Sequence, residues 1–142
     1  MKVLVDINVI IDVILRREPY FSDSKRIVDC CISFVDGYIA LHSFATIFYV
    51  LNEKEHKDTD FCRNTINNLL YVFDVAGLNK HQLISAINNG SFSDLEDSMQ
   101  YGSAEACKVD YIITRDSEDF KDSSIPAITP TAFLALIHED SV

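Results

Sequence analysis

The chain has 142 residues, 48% of them apolar, with 22 acidic against 12 basic residues and a formal charge of −10. That length suffices for one well-buried domain, expected over residues 1–142. The acidity argues against broad electrostatic adhesion to nucleic acid, whose affinity comes largely from Lys and Arg on phosphates, and implies a local basic patch or a basic partner.

No apolar run approaches the roughly 18 residues that span a bilayer, and Asp6 interrupts the first apolar stretch, so neither a membrane segment nor a signal peptide is expected. Cys30, Cys31, Cys62 and Cys107 show no Cys-x-x-Cys spacing, which makes zinc and disulfide-exchange readings weak. Reduced thiols fit a cytoplasmic setting. Cys30 and Cys31 lie in an apolar helical stretch and read as small core residues.

Met1 to Val5 reads as a short buried strand, and Asn8 as the cap of a helix running toward Glu18-Pro19. Ile27, Val28, Cys31 and Phe34 recur at helical spacing and predict a second helix over 22–34. Asp36-Gly37 is read as a turn into a strand over 38–41, and Ser43 as the start of a helix carrying Ile47, Val50 and Leu51. After the polar break at 54–57 comes a helix over 59–70, then a strand over 71–75. The pair of helices before that strand reads as an insertion or small lobe beside the sheet.

Asn79 caps a helix to Ile87, and Ser93 with Glu96 fits a capping box for a helix ending at Cys107. Strands follow over 110–114 and 125–128, and Pro130 suits the first turn of a closing helix. Strands alternating with helices predict a three-layer α/β/α sandwich around a mainly parallel sheet of four to five strands.

Acids stand where the apolar runs stop. Val3-Leu4-Val5 ends in Asp6, and Tyr111-Ile112-Ile113 passes through Thr114-Arg115 into Asp116. Ligands of open α/β sheets bind outside the carboxyl ends of the strands, so these acids are placed to share one crevice. Asp94 and Asp97, spaced i, i+3, share a helix face. Carboxylates brought together repel one another unless they are protonated or bind a cation, and a hard ion such as Mg²⁺ is the simplest resolution.

Each residue also has a plainer reading. Asp6 is either a helix cap or a ligand, Asn8 either a cap or a group that orients Asp6 or a metal-bound water, and Asp94 either a ligand or, like Glu96, a favourable charge at a helix start. Asp97 lies a turn further in, with Tyr101 and Ala104 continuing its face toward the protein. Asp116 either ligates a metal or orients its water. Asp119 either caps a turn or pairs with Arg115, which itself could meet phosphate. His42, His56, His81 and His138 sit in unrelated segments, and no phosphate-binding glycine loop is present.

Together these segments resemble the PIN-domain family, in particular its small VapC-type toxins. The resemblance is carried by Val3-Leu4-Val5-Asp6-Ile7-Asn8-Val9-Ile10, by Phe92-Ser93-Asp94-Leu95-Glu96-Asp97-Ser98-Met99-Gln100-Tyr101 and by Tyr111-Ile112-Ile113-Thr114-Arg115-Asp116-Ser117-Glu118-Asp119-Phe120. Residues 126–134 are similar to the family's closing strand and helix.

The resemblance implies an RNA-hydrolysing enzyme dependent on Mg²⁺ or Mn²⁺, the toxin of a toxin–antitoxin pair, with a basic antitoxin segment and a homodimer as partners. It places Asp6, Asp97 and Asp116 on the acidic positions, Asp94 beside them, and Asn8 on a frequent polar position. It also exposes a departure, because Thr46 stands where the family usually has Glu. Lys2, Arg115 and Lys121 are candidates for phosphate contact, and Tyr38, Phe48 or Tyr49 for base stacking.

The missing carboxylate keeps a second reading open, a catalytically impaired scaffold that binds RNA or protein. A phosphotransfer or receiver-type site is disfavoured. The former would want Asp where Asn8 stands, and the latter an acidic pair after the first strand and an acceptor Asp after the third.

Overall fold

The computed structural model of this chain describes residues 1–140. Its elements are β1 (Lys2–Val5), α1 (Ile7–Ile14), α2 (Phe21–Ser33), β2 (Asp36–Ala40), α3 (Leu41–Tyr49), α4 (Thr59–Val72), β3 (Asp74–Ala76), α5 (Lys80–Ile87), α6 (Leu95–Cys107), β4 (Tyr111–Ile113), β5 (Ala127–Ile128) and α7 (Pro130–Asp140). A π-helical turn over Val50–Lys54 prolongs α3, and a 3₁₀ turn over Ser117–Phe120 follows β4. The five strands form one sheet in the order β3-β2-β1-β4-β5, with every neighbouring pair parallel.

Successive side chains of a strand point to opposite faces, and β1 shows what that does here. Val3 and Val5 join one core with Ile39 and Ile113, covered by Val9 and Ile10 of α1, Ile27 of α2, Ile47 of α3, Cys62 of α4 and Phe133 of α7. Leu4 joins the opposite core with Ala40, Ala76, Ile112, Phe120 and Ala104 of α6. Both faces are therefore covered, as the near-continuous apolar run of β1 requires, and α5 packs on the outside of α6. The sandwich expected from the sequence is present, with a wholly parallel sheet.

Several local expectations give way to packing. The helices between β2 and β3 are no side lobe, because Ile47, Leu51 and Cys62 lie in the main core. Asp36-Gly37 is strand, not turn: a Cβ on Gly37 would stand 2.7 Å from Cys31 Sγ and 2.8 Å from the Phe73 ring, so glycine is there for close approach. Tyr71 and Val72 finish α4, leaving β3 only Asp74–Ala76. The first helix stops at Ile14, where the Leu15 amide turns back to the Ile11 and Val13 carbonyls, well before Pro19.

The caps also differ from the sequence reading. Asp6, not Asn8, caps α1, and Asp94, not Ser93, caps α6 by accepting from the Asp97 amide. The helix expected from Ser43 starts earlier, at Leu41, and puts Ser43 inside, fully buried. The Asn79–Gln82 capping box of α5, the Asp58 cap of α4 and Pro130 at the start of α7 do what their residue types favour.

Candidate active site

The strand order fixes where a ligand fits. After β1 the chain builds outward through β2 and β3, then returns to place β4 on the other side of β1 and β5 beyond it. The order reverses between β1 and β4, and a crevice opens at such a switch point beyond the carboxyl ends of the strands. Asp6 follows β1 there, its amide bonded to the Ile113 carbonyl at 2.9 Å, and Thr114 follows β4.

Asp6 is 8% exposed, and three donors hold its carboxylate. Oδ1 accepts from the Ile7 amide at 2.7 Å and from Gln100 Nε2 at 2.8 Å, and Oδ2 accepts from Thr114 Oγ1 at 2.7 Å. Burial nevertheless raises its pKa, opposed by the Thr114 and Ile7 hydrogen bonds and reinforced by Asp116 and Glu96. The cap reading and the functional reading of this residue are thus compatible: one oxygen fixes the helix start while Oδ2 spends a single acceptor position on Thr114.

Gln100 reaches Asp6 because it lies one turn along α6 from Asp97 on the same face. Its Nε2 also stands 3.5 Å from the buried Ser43 hydroxyl, while its Oε1 is buried without a hydrogen-bond partner. Asp97 is half-buried at the mouth. Its pKa is pushed up to about 6, by burial first and then by Asp94, Asp119, Asp6 and Glu96. Asp94 is exposed, and its Oδ1 is engaged by the Asp97 amide at 3.0 Å.

Asp116 is exposed on the loop after β4 and opens the 3₁₀ turn. Asn8, on α1, donates from Nδ2 to Asp116 Oδ2 at 2.9 Å, and the Asp116 amide donates to Thr114 Oγ1 at 3.0 Å. The structure therefore links Asp6, Asn8 and Asp116 through Thr114, and brings Asp97 within electrostatic reach of Asp6.

Arg115 pairs with neither Asp119 nor a free crevice. Its Nε lies 2.8 Å from Oδ2 of Asp12, a fully buried acid on α1, and its guanidinium sits 4.1 Å over the Tyr20 ring. The pair is held by charge more than by aligned hydrogen bonds, since the Asp12 oxygens and Arg115 Nε all lack directed partners. Burial raises the Asp12 pKa despite the opposing pull of Arg115 and Arg17.

Thr46 is one turn along α3 from Ser43, part-exposed, and brings a hydroxyl in place of a carboxylate. Lys2 begins β1, at the end of the sheet opposite Asp6, so it does not serve the crevice. Phe48 packs against one core and Tyr38 against the other, while Tyr49 is exposed with Lys54 Nζ 6.0 Å from its ring.

Reading the sequence missed Gln100, Thr114, Ser43 and the Asp12–Arg115 pair. A trace was available for the Asp12–Arg115 pair and for Gln100. Asp12 interrupts the apolar run Val9-Ile10-Ile11-Asp12-Val13-Ile14, and Gln100 follows Asp97 at helical spacing.

A hard cation suits this donor set in charge and in chemistry. Burial first, and then the acids around it, push the Asp97 pKa up to about 6, and a dication relieves the repulsive part. Asp6 Oδ2 keeps acceptor capacity, and Gln100, whose Nε2 reaches Asp6 Oδ1, carries a buried Oε1 without a hydrogen-bond partner. Among the described residues, however, no three His, Cys, Asp or Glu side chains are grouped closely enough to hold an ion by themselves. The acids form an open donor set and not a closed cage.

A family model described as a PIN domain matches residues 2–118, and the chain belongs to that family. Its fold is shared with a toxin–antitoxin complex from Klebsiella pneumoniae (18% identity, TM-score 0.65, covering 90% of this chain and 97% of that one). It is shared also with VapBC-1 from nontypeable Haemophilus influenzae (14%, TM-score 0.67, 92% and 99%). A third likeness is to VapBC2 from Rickettsia felis bound to a promoter DNA fragment (12%, TM-score 0.62, 90% and 97%). The search of curated proteins gave no match. Among the described residues, no helix is long and apolar enough to cross a membrane.

Proposed function

We propose that this PIN-domain protein is a divalent-metal-dependent ribonuclease acting in the cytoplasm as the toxin of a toxin–antitoxin pair. The observation that carries the reading is Asp6, a buried carboxylate held in one orientation by three donors at the β1–β4 switch point, with Asp97 and Asp116 adding charge to the same crevice. Asp6, Asp97 and Asp116, with Asp94 beside them, would supply the oxygens for Mg²⁺ or Mn²⁺; bound there, such an ion would acidify water and offset the charge that develops on phosphate during hydrolysis.

The chain's own residues do the positioning. Gln100, Thr114 and the Ile7 amide stop the Asp6 carboxylate from rotating. Asn8 holds Asp116 by Oδ2, so its other oxygen is free to orient a water or take its proton. The Klebsiella pneumoniae relative is a toxin–antitoxin complex, and a formal charge of −10 suits a basic antitoxin segment. Exposed Ile32 and Phe34 near the end of α2 and Leu70 and Tyr71 near the end of α4, two helices in contact, support a homodimer.

Thr46 favours one other reading, an RNA- or protein-binding module whose metal site is impaired by the lost carboxylate. Calorimetric titration of Mn²⁺ into wild-type and Asp6→Asn protein, with cleavage of labelled single-stranded RNA by both, separates the two. The nuclease reading expects binding and cleavage in wild type and loss of both in the variant. No metal binding and no cleavage by wild type selects the module instead.

A further inference from the structure

Beside the acids lies a second cleft, between the start of α2, the loop after β4 and the start of α7. It encloses about 350 Å³ and shares Asp116 with the acid cluster. We propose that this cleft receives one unstacked nucleobase of the RNA strand, and that it prefers a base carrying an exocyclic amine over uracil. The proposal rests on the nuclease reading for its substrate and adds to it which part of the strand is recognised.

Charge decides against a phosphate in this cleft. Arg115 lines it, but its charge is already engaged by Asp12 at 2.8 Å, and Asp23 and Asp116 stand in the same wall. An anion would meet more negative than positive charge. A neutral, flat, hydrogen-bonding group would not.

The wall offers what such a group uses. The Arg115 guanidinium is fixed over Tyr20 at 4.1 Å and anchored from behind by the buried Asp12, so it forms a rigid plane. Unpaired RNA bases stack on guanidinium planes and aromatic rings. Ser24 lines the cleft, is fully buried, and its hydroxyl has no hydrogen-bond partner. A buried hydroxyl without a partner is costly in a free protein, and a base edge placed in the cleft would supply the partner.

Asp23 sets the base preference. Its Oδ2 accepts from Thr131 Oγ1 at 2.6 Å, while Oδ1 has only Arg26 at 3.8 Å. Oδ1 therefore keeps capacity to accept a hydrogen bond from an amine such as N4 of cytosine or N6 of adenine. Uracil presents a carbonyl oxygen there, which Asp23 repels. The shared Asp116 makes the cleft continuous with the acids, so a base seated in it belongs to a nucleotide close to the phosphate under attack.

The test uses fluorescein-labelled hexamers of rA, rC and rU, with binding read by anisotropy in EDTA and cleavage in Mn²⁺. Wild type is expected to bind rA or rC hexamers roughly fivefold or more tightly than rU. Ser24→Ala weakens the preferred hexamer by a few-fold. Asp23→Asn, whose amide donates to a uracil carbonyl, flattens or reverses the preference while Mn²⁺ binding stays as in wild type.

Equal binding of the three hexamers, no hexamer binding, or an unchanged preference in Asp23→Asn overturns the cleft proposal. If RNA is still cleaved, the nuclease reading survives that failure. Base preference without cleavage or Mn²⁺ binding keeps the cleft and sinks the nuclease. Binding of a basic peptide that is lost in Asp23→Asn, with no base preference, assigns the cleft to a protein partner and overturns the proposal.

Discussion

Removing Arg115 is the sharpest perturbation the molecule offers, because it takes the ion-pair partner from a fully buried carboxylate and leaves only the weaker pull of Arg17. Asp12 has no exposure, and Arg115, at 25% side-chain exposure, is its 2.8 Å partner. Breaking a buried pair from one side costs about 3–5 kcal/mol, and losing the guanidinium from the Tyr20 ring adds about 0.5–2 kcal/mol. The partial exposure of Arg115 lets water into the gap in Arg115→Ala, so the low end applies, a net loss of about 3 kcal/mol. For a chain of this length that is a fall in Tm of about 6–12 °C.

The double variant Asp12→Asn, Arg115→Met removes both charges and retains most of the volume, so it should lose less than about 1 kcal/mol. Urea unfolding of wild type, Asp12→Asn, Arg115→Met and the double variant gives the coupling energy, expected at about 2 kcal/mol. The penalty in Arg115→Ala should also depend on pH. Burial already raises the Asp12 pKa with Arg115 present, and without it the acid takes up its proton at still higher pH. The loss is then largest where Asp12 is fully ionised and shrinks as falling pH protonates it, first in the variant and then in wild type. A coupling below about 0.5 kcal/mol, or a penalty independent of pH, would refute the argument.

Two further outcomes follow from the same structure. Because Asp97 titrates at about 6 in the fold against 3.8 for the ordinary group, its contribution to stability falls as pH rises through that window. On the nuclease reading Asp97→Asn should abolish RNA cleavage; it should also become more stable relative to wild type between pH 4 and pH 7 in urea melts, and a gap that stays constant or moves the other way would refute the raised Asp97 pKa. Gly37→Ala must push Cys31 or Phe73 aside from contacts of 2.7 and 2.8 Å, so thermal melts should show a loss of about 1–3 kcal/mol; a loss under about 0.5 kcal/mol would show that the core yields there freely.

The periodicity of the apolar residues was enough to identify the layers, because helix and strand spacings differ along nearly the whole chain. It misplaced boundaries where tertiary contacts outweigh local preference. Tyr71 and Val72 favour strands by type yet finish α4, and Asp36-Gly37 has the composition of a turn yet pairs with Lys2 and Val3 in the sheet.

Within the site, the acids announced themselves by standing after apolar runs. Their supports did not, because Gln100, Thr114 and Ser43 are ordinary polar residues whose importance comes only from proximity across the fold. Thr114 Oγ1 meets an acid 108 positions away, and nothing near Thr114 in the sequence marks that meeting. Arg115 was misjudged for the same reason, since its partner is a distant residue that looked like an interruption in an apolar helix.

Asp6 serves both as the first cap of the fold and as the centre of the acid cluster, and its partners come from the far end of the sequence. A chain still leaving the ribosome holds that aspartate without Thr114 or Asn8's partner Asp116 until most of its length has been synthesised. Pairing β1 with β4 also closes the long intervening loop, a slow, non-local step. On the nuclease reading, every N-terminal fragment that lacks the fourth strand would be without hydrolytic capacity, which would spare the translating cell from half-made enzyme.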